Sequence, residues 1–391
     1  MGAGIANMLL GFGFRALLWD INEAALEKGL KMIRKTFSFA VKKGKMTEQD
    51  LENLISNNSK TTTNLEDVAD ADLVIEAVLE DMTIKKDTWK KIDGICRPDA
   101  VFATNTSALP VTELASVLKD PSRMLGLHFF NPAERMPLVE VITAQKTSDE
   151  TLSSGVAFSR KIGKVPVVVN DGPGFYTSRQ LNALMGECNF MLEEGVPLPV
   201  IDMSLVEFGM PMGPFTLHDL TGIDIGFHVA TYFEKAIGKR WAVSEIHKII
   251  FETGCYGRKT GSGYYDYSDK RPVPNKKVLE LVDEYLKQNN ITPKETSTKK
   301  LADRMLARAI NEAAYMMEEG ICGDRPQDMD LAMVYGCGYP GWRGGIFRGA
   351  DSWGIDEVYQ YLKTLEETYG ERFRPADLLK TMASENATFY G

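Results

Sequence analysis

The sequence predicts a mixed chain: an α/β unit on a largely parallel sheet over residues 1–170, then two all-α units over 171–268 and 299–391, with 269–298 between them as a linker region. Three observations lead there. From Ala16 to Asn170 short apolar runs alternate with amphipathic stretches, the pattern of repeated βα units. After DGPG (171–174) the strand-like runs stop and helical spacing takes over. The second half also repeats itself, GECNFMLEEG (186–195) with NEAAYMMEEG (311–320), VEFGMPMGP (206–214) with MVYGCGYPGW (333–342), and TGIDIG (221–226) with WGIDEV (353–358). Two such repeats mean a duplicated helical unit, since a solenoid stacks three or more shorter ones.

The chain opens MGAGIANMLLGFGFRALLWD. Gly2, Ala3 and Gly4 read in two ways, as an ordinary N-terminus or as the end of a phosphate-binding glycine loop. On the second reading Ile5–Gly13 is the following helix, Phe14–Trp19 is a strand, and Asp20 stands where a ribose-binding acid belongs. The unit is then a Rossmann-type dinucleotide-binding domain whose first strand and leading glycines lie upstream of residue 1, and a sheet lacking that central strand should be weakly stable. Further strands are expected at 15–20, 71–78, 100–105, 124–130, 138–143 and 165–170, most without polar alternation, as in sheets covered on both faces. EAALEKGLKMIRKTFSFAVKKG and TIKKDTWKKIDGI carry apolar residues at helical spacing and should cover the sheet. In the second half, DKRPVPNKK (269–277) and NNITPKETSTKK (289–300) bracket one short helix and read as the linker.

Composition narrows the function. At 391 residues, 44% hydrophobic and 25% charged, the chain is ordinary for a globular protein. A net charge of -9 argues against nucleic acid as the main partner. Five cysteines, odd in number, far apart and without a C-x-x-C pair, suggest neither a disulfide framework nor a metal site, and fit a reducing compartment. No run approaches eighteen apolar residues, so no transmembrane segment is expected. The start lacks a basic, Ser-rich presequence, and ATFYG is not a peroxisomal tripeptide.

The chain has four histidines. His218, His228 and His247 lie in helical patterns and read as surface or capping residues, whereas His128, in GLHFFNP, ends an apolar strand, where open α/β sheets place their ligands. Glu140, in PLVEVIT, is an acid inside an apolar strand and needs a partner such as an imidazole if it is buried. The alternative is an edge Glu facing solvent beside a core His. Ser107, in ATNTSALP, follows a strand and either caps the next helix or hydrogen-bonds a substrate oxygen. Without a G-x-S-x-G elbow it is no acyl-transfer nucleophile.

TNTS, GLHFFNPAERMPLVEVI, DGPGFYTSR, FGMPMGPFTLHDLTGID, GRKTGSGYYDY and YGCGYPGWRGG, in that order and spacing, resemble the 3-hydroxyacyl-CoA dehydrogenases of fatty-acid β-oxidation along essentially the whole chain. The doubled helical unit resembles the multifunctional members, with GFYTSR and NATFYG similar to the trifunctional alpha subunits of mitochondria and their bacterial relatives. The family's G-x-G-x-M-G-x-G-I run is entered here at its internal Met, so the chain looks N-terminally truncated and lacks the hydratase domain those relatives carry upstream. The resemblance implies NAD-dependent oxidation of (S)-3-hydroxyacyl-CoA to 3-ketoacyl-CoA. His128 would be the general base, and Glu140 would orient its ring. Ser107 would bond the reacting oxygen or the nicotinamide, and Asn131 would lie against substrate and cofactor. Asp20 would hold the adenosine ribose and favour NAD over NADP, while Gly2, Ala77, Glu80 and Lys85 match further cofactor positions. Ser178 stands where many members have Asn, and would donate one hydrogen bond to the substrate carbonyl. The resemblance also implies a homo-oligomer or a complex with a thiolase subunit, in the mitochondrial matrix of a eukaryote or the cytoplasm of a bacterium. Two rivals stay open: a non-catalytic helical assembly module, and a 6-phosphogluconate-type dehydrogenase, which would need a basic phosphate cluster not evident around His128 or Ser178.

Overall fold

The chain begins in a helix. In the computed structural model, which describes residues 1–391, α1 (Gly2–Gly11) takes Gly2 and Gly4 into its first turns, with Met1 at the N-cap. The glycines are therefore helical, and the expected loop end before Ile5 is not formed. Apolar residues on α1 serve two cores. Ile5 and Met8 pack with Leu125, Leu127, Val139 and Val141, while Ala6 and Leu10 pack with Ala16, Ile33, Leu51 and Ile55.

β1 (Ala16–Trp19) leads into α2 (Glu23–Lys42), which starts where the Asn22 side chain accepts from the Ala24 N–H. A Thr47–Asp50 capping box opens α3 (Glu48–Asn58). β2 (Ser59–Thr62) then pairs in parallel with β1. Sequence pattern does not announce this strand, because SKTT has no apolar residue to mark it. β3 (Leu73–Glu76), α4 (Met82–Ile95), β4 (Val101–Thr104), α5 (Val111–Ala115), β5 (Met124–Phe129), β6 (Leu138–Thr143), α6 (Asp149–Lys161) and β7 (Val165–Asn170) complete the unit. The five strands order as β3-β4-β5-β6-β7, separate from the β1-β2 pair.

The sheet is largely but not wholly parallel, because β5 and β6 run antiparallel. The link from Phe129 to Leu138 contains no helix and is shorter than the dozen or so residues a parallel crossover needs. Gly126 on β5 faces Ile142 on β6, and a Cβ there would come within 2.7 Å of the Ile142 side chain.

The chain divides after Phe175 into two compact units, the second running from Tyr176 to Gly391. It contains α7 (Thr177–Glu193), α8 (Leu198–Phe208), α9 (Pro214–Thr221), α10 (Ile223–Ile237) and α11 (Glu245–Glu252), a short hairpin of β8 (Tyr265–Asp266) and β9 (Val273–Pro274), and α12 (Lys276–Gln288). The helical series then recurs as α13 (Thr298–Glu318), α14 (Pro326–Cys337), α15 (Ile346–Trp353), α16 (Ile355–Tyr369) and α17 (Asp377–Glu385). Residues 269–298 are more than a linker, since α12 buries Val278, Val282 and Leu286 and packs on α7 and α11.

The repetition extends to single hydrogen bonds. Asp202 accepts from the Phe215 N–H at 2.8 Å and the Tyr265 hydroxyl at 2.9 Å; Asp330 accepts from the Phe347 N–H at 2.8 Å and the Tyr390 hydroxyl at 2.8 Å. Asp219 likewise holds the Tyr264 and Tyr265 amides, and Asp351 holds those of Phe389 and Tyr390. The copies exchange charges reciprocally. Arg179 on α7 reaches Glu312 and Glu319 of the second copy, each at 2.6 Å. Arg304 on α13 reaches Glu187 and Glu194 of the first, each at 2.8 Å. This is the self-complementary pattern of a two-fold dimer interface, formed here within one chain.

Candidate active site

Parallel strands end together, so the C-terminal ends of β3, β4 and β5 present Glu76, Thr104 and Phe129 to one edge of the sheet. The loops after β3 and β4 carry Ala77, Glu80 and Ser107. Asn105, just past β4, ties two ends directly: its side-chain oxygen accepts from the Phe129 N–H at 2.9 Å. Sequence reasoning misses this residue, though it sits inside the TNTS run.

His128 and Glu140 face each other across the antiparallel pair, in register. The imidazole Nδ1 lies 3.0 Å from Glu140 Oε2, and Glu140 is completely buried, so the solvent-facing alternative is excluded. A carboxylate can only accept, so Nδ1 carries the proton and Nε2 is the basic nitrogen. Phe130 and Phe175 stand around the ring at 4.5 and 6.3 Å between centroids. The pair therefore holds one tautomer in one orientation, and imidazolium, once formed, would be stabilised by the charge behind it.

Ser107 is exposed beyond β4, and its loop is fastened from behind. Glu80 Oε1 accepts from the Ser107 N–H at 2.8 Å and from the Thr106 hydroxyl at 2.5 Å. Thr106 Oγ1 in turn accepts from the Leu109 N–H at 3.0 Å. The first amides of α5, Val111 N–H and Thr112 N–H, donate to the Asp171 carboxylate at 3.0 and 2.7 Å, so the helix-capping alternative for Ser107 is not realised. Lys85 lies beneath, almost wholly buried, with Nζ at 2.7 Å from Glu76 Oε1 and 3.1 Å from Glu80 Oε2. Asn131, exposed, lies two residues past the end of β5.

The other expected residues lie further out. Asp20, at the end of β1, accepts from the Asn22 N–H at 2.9 Å. Gly2 opens α1, and a Cβ on it would stand 3.9 Å from Ala77 Cβ, so the start of α1 meets the segment after β3 with only small groups between. Ser178 belongs to the second unit, in the first turn of α7, where its carbonyl accepts from the Asn182 side chain at 2.8 Å. His218 and His247, expected at the surface, are instead buried, with ring centroids 5.3 Å apart. Burial pushes them down to about 3 and about 4 respectively, which makes both poor bases and leaves His128 as the histidine at the strand ends.

Comparison with known proteins identifies both domains. Residues 1–172 match the NAD-binding domain of 3-hydroxyacyl-CoA dehydrogenase, and residues 174–267 and 301–388 each match its C-terminal domain. The chain is 39% identical over 391 residues to the fatty acid oxidation complex subunit alpha of Shewanella amazonensis, all of this chain against 55% of that protein. It thus spans about half the length of the curated relatives it matches. Among solved structures, 3-hydroxybutyryl-CoA dehydrogenase of Escherichia coli K12 superposes with a TM-score of 0.86 at 29% identity, covering 98% of this chain and 96% of that one. The (S)-3-hydroxybutyryl-CoA dehydrogenase of Ralstonia eutropha gives 0.65 at 34% identity, covering 69% and 96%. With both domain models matched along nearly its whole length and a strand-end His–Glu pair inside the first, the chain belongs to the 3-hydroxyacyl-CoA dehydrogenase family.

Proposed function

We propose that the chain oxidises (S)-3-hydroxyacyl-CoA to 3-ketoacyl-CoA with NAD, as one activity of a larger fatty-acid oxidation protein that works in a complex with a thiolase subunit. The observation that carries the chemistry is the buried His128–Glu140 pair, 3.0 Å apart at the end of the sheet. His128 Nε2 takes the proton of the 3-hydroxyl, and Glu140 keeps Nδ1 protonated and compensates the imidazolium that results. Ser107 and Asn131 line the same edge and orient the reacting oxygen.

The first unit is an NAD-binding domain by family, and its residues suit the dinucleotide. Gly2 and Ala77 leave the start of α1 accessible to a pyrophosphate. Asp20 at the end of β1 suits an unphosphorylated ribose, and the Glu80 carboxylate is 43% exposed beside Ser107. NAD, when bound, supplies the two-electron acceptor.

The test is NADH formation from (S)-3-hydroxybutyryl-CoA by the intact chain, followed by absorbance. Turnover with the (S) and not the (R) substrate supports the reading. Calorimetric binding of NAD without turnover of any (S)-3-hydroxyacyl-CoA would sink it.

A further inference from the structure

Glu76 at the end of β3, Glu80 in the loop after it and Lys85 on α4 form a chain of contacts in which Glu76 has no assigned role. Glu76, the last residue of β3, is buried, yet both its oxygens are engaged. Oε1 accepts from Lys85 Nζ at 2.7 Å and from the Val78 N–H at 2.8 Å. Oε2 accepts from the Thr104 hydroxyl, the last residue of β4, at 2.7 Å. Lys85 rises from the first turn of α4 between Glu76 and Glu80 and is 1% exposed. Glu80 then holds the Thr106 hydroxyl and the Ser107 N–H.

From this arrangement we propose that Glu76 is a positioning residue, which fixes the Ser107 loop through Lys85 and Glu80. The physical reason is the cost of a buried charge. An ammonium deep in the protein requires a paired anion, and with Glu76 present Lys85 has one on the interior side. Glu80 is then left with one oxygen for Lys85 and the other for the loop. Without the Glu76 charge, Glu80 is the only carboxylate left beside Lys85, and it is drawn toward the ammonium and away from Thr106 and Ser107. Glu76 touches neither substrate nor cofactor on this account, and its link to catalysis rests on the proposed role of Ser107.

The experiment combines hydrogen exchange with kinetics on the intact chain. Glu76→Gln should accelerate amide exchange at the Ser107 N–H about tenfold or more while protection in β5 and β6 stays as in wild type. Its kcat on (S)-3-hydroxybutyryl-CoA should fall about tenfold, and the loss should largely vanish in a Ser107→Ala background, because both changes disable one device. Thr104→Val, which removes only the Oε2 anchor, should reproduce the local exchange effect to a smaller degree, and it decides the matter if Glu76→Gln does not fold. Unchanged exchange at Ser107 in both variants, or kinetic losses that add fully with Ser107→Ala, would overturn the assignment. Should the wild-type chain not turn over the substrate at all, the proposed function fails, while the exchange data still decide whether Glu76 sets the loop.

Discussion

Glu140 is the residue on which sequence and structure agree most closely, and it shows why. A lone acid in PLVEVIT is costly in a sheet core, so the run itself demands a partner, and the antiparallel register supplies His128. Glu140→Gln keeps a hydrogen-bond acceptor for Nδ1 but removes the charge that compensates imidazolium. We expect kcat to fall by about 10–10³-fold, within the range of a base's contribution, with the thermal midpoint little changed; a variant that loses stability but keeps kcat would make Glu140 a structural residue. Glu76 and Asn105 are not legible in the same way. Glu76 resembles any strand-end acid until the fold brings Lys85 beside it, and Asn105 acts through a backbone amide on a neighbouring strand. The buried histidines escape a sequence reading because helical spacing with charged neighbours does not reveal which face is covered. Their pH behaviour follows from burial. Both are held below the ordinary histidine value, to about 3 and about 4, so the unfolded chain binds more protons between about pH 4 and pH 6.5. Stability from these groups is complete above about pH 6.5 and is lost as pH falls toward 4. Asp219, raised by burial to about 6, works in the opposite sense, as do Glu193, Glu318 and Asp330, which burial also raises. The histidines' share is read as a difference: between pH 6.5 and pH 4.5 the wild-type urea midpoint should lose ground relative to the variant carrying His218→Gln with His247→Gln, and parallel profiles for the two would contradict the account.

Strands with apolar runs are readable from the sequence, and the two features that are not have a common cause. β2 is a polar strand with one partner, so no apolar pattern marks it, and the direction of β6 is invisible in its composition because LVEVIT is buried on both faces either way. The signal that gives the direction away is the short helix-free link before it. That antiparallel pair carries the candidate base and its partner, so its close packing can be tested by itself. Gly126→Ala would place a methyl within 2.7 Å of Ile142, and overpacking of this kind costs about 1–3 kcal/mol. We expect a lower thermal midpoint together with reduced turnover, because β5 and β6 must separate at the register of the His128–Glu140 pair. An unchanged midpoint would mean that the sheet adapts without strain.

Across the whole molecule, the duplication is legible in three pairs of similar segments, but the exchange of arginines between copies is not, because sequence repetition does not state which copy a side chain reaches. Arg304 is 6% exposed and gathers Glu187 and Glu194. Removing one member of a buried ion pair leaves the others uncompensated, at a cost of about 3–5 kcal/mol. Arg304→Met should therefore lower the denaturation midpoint of the second unit strongly, and Arg179→Met should do the same by the internal symmetry; a loss below about 1 kcal/mol in both would refute the reciprocal interface as a source of stability. The central claim remains that this chain's chemistry runs through His128. It is tested most directly by measuring kcat on (S)-3-hydroxybutyryl-CoA and NAD affinity by calorimetry for His128→Gln beside wild type. The account predicts a loss in kcat of at least about 10²-fold with NAD affinity within a few-fold of wild type, whereas turnover within about tenfold of wild type would contradict it.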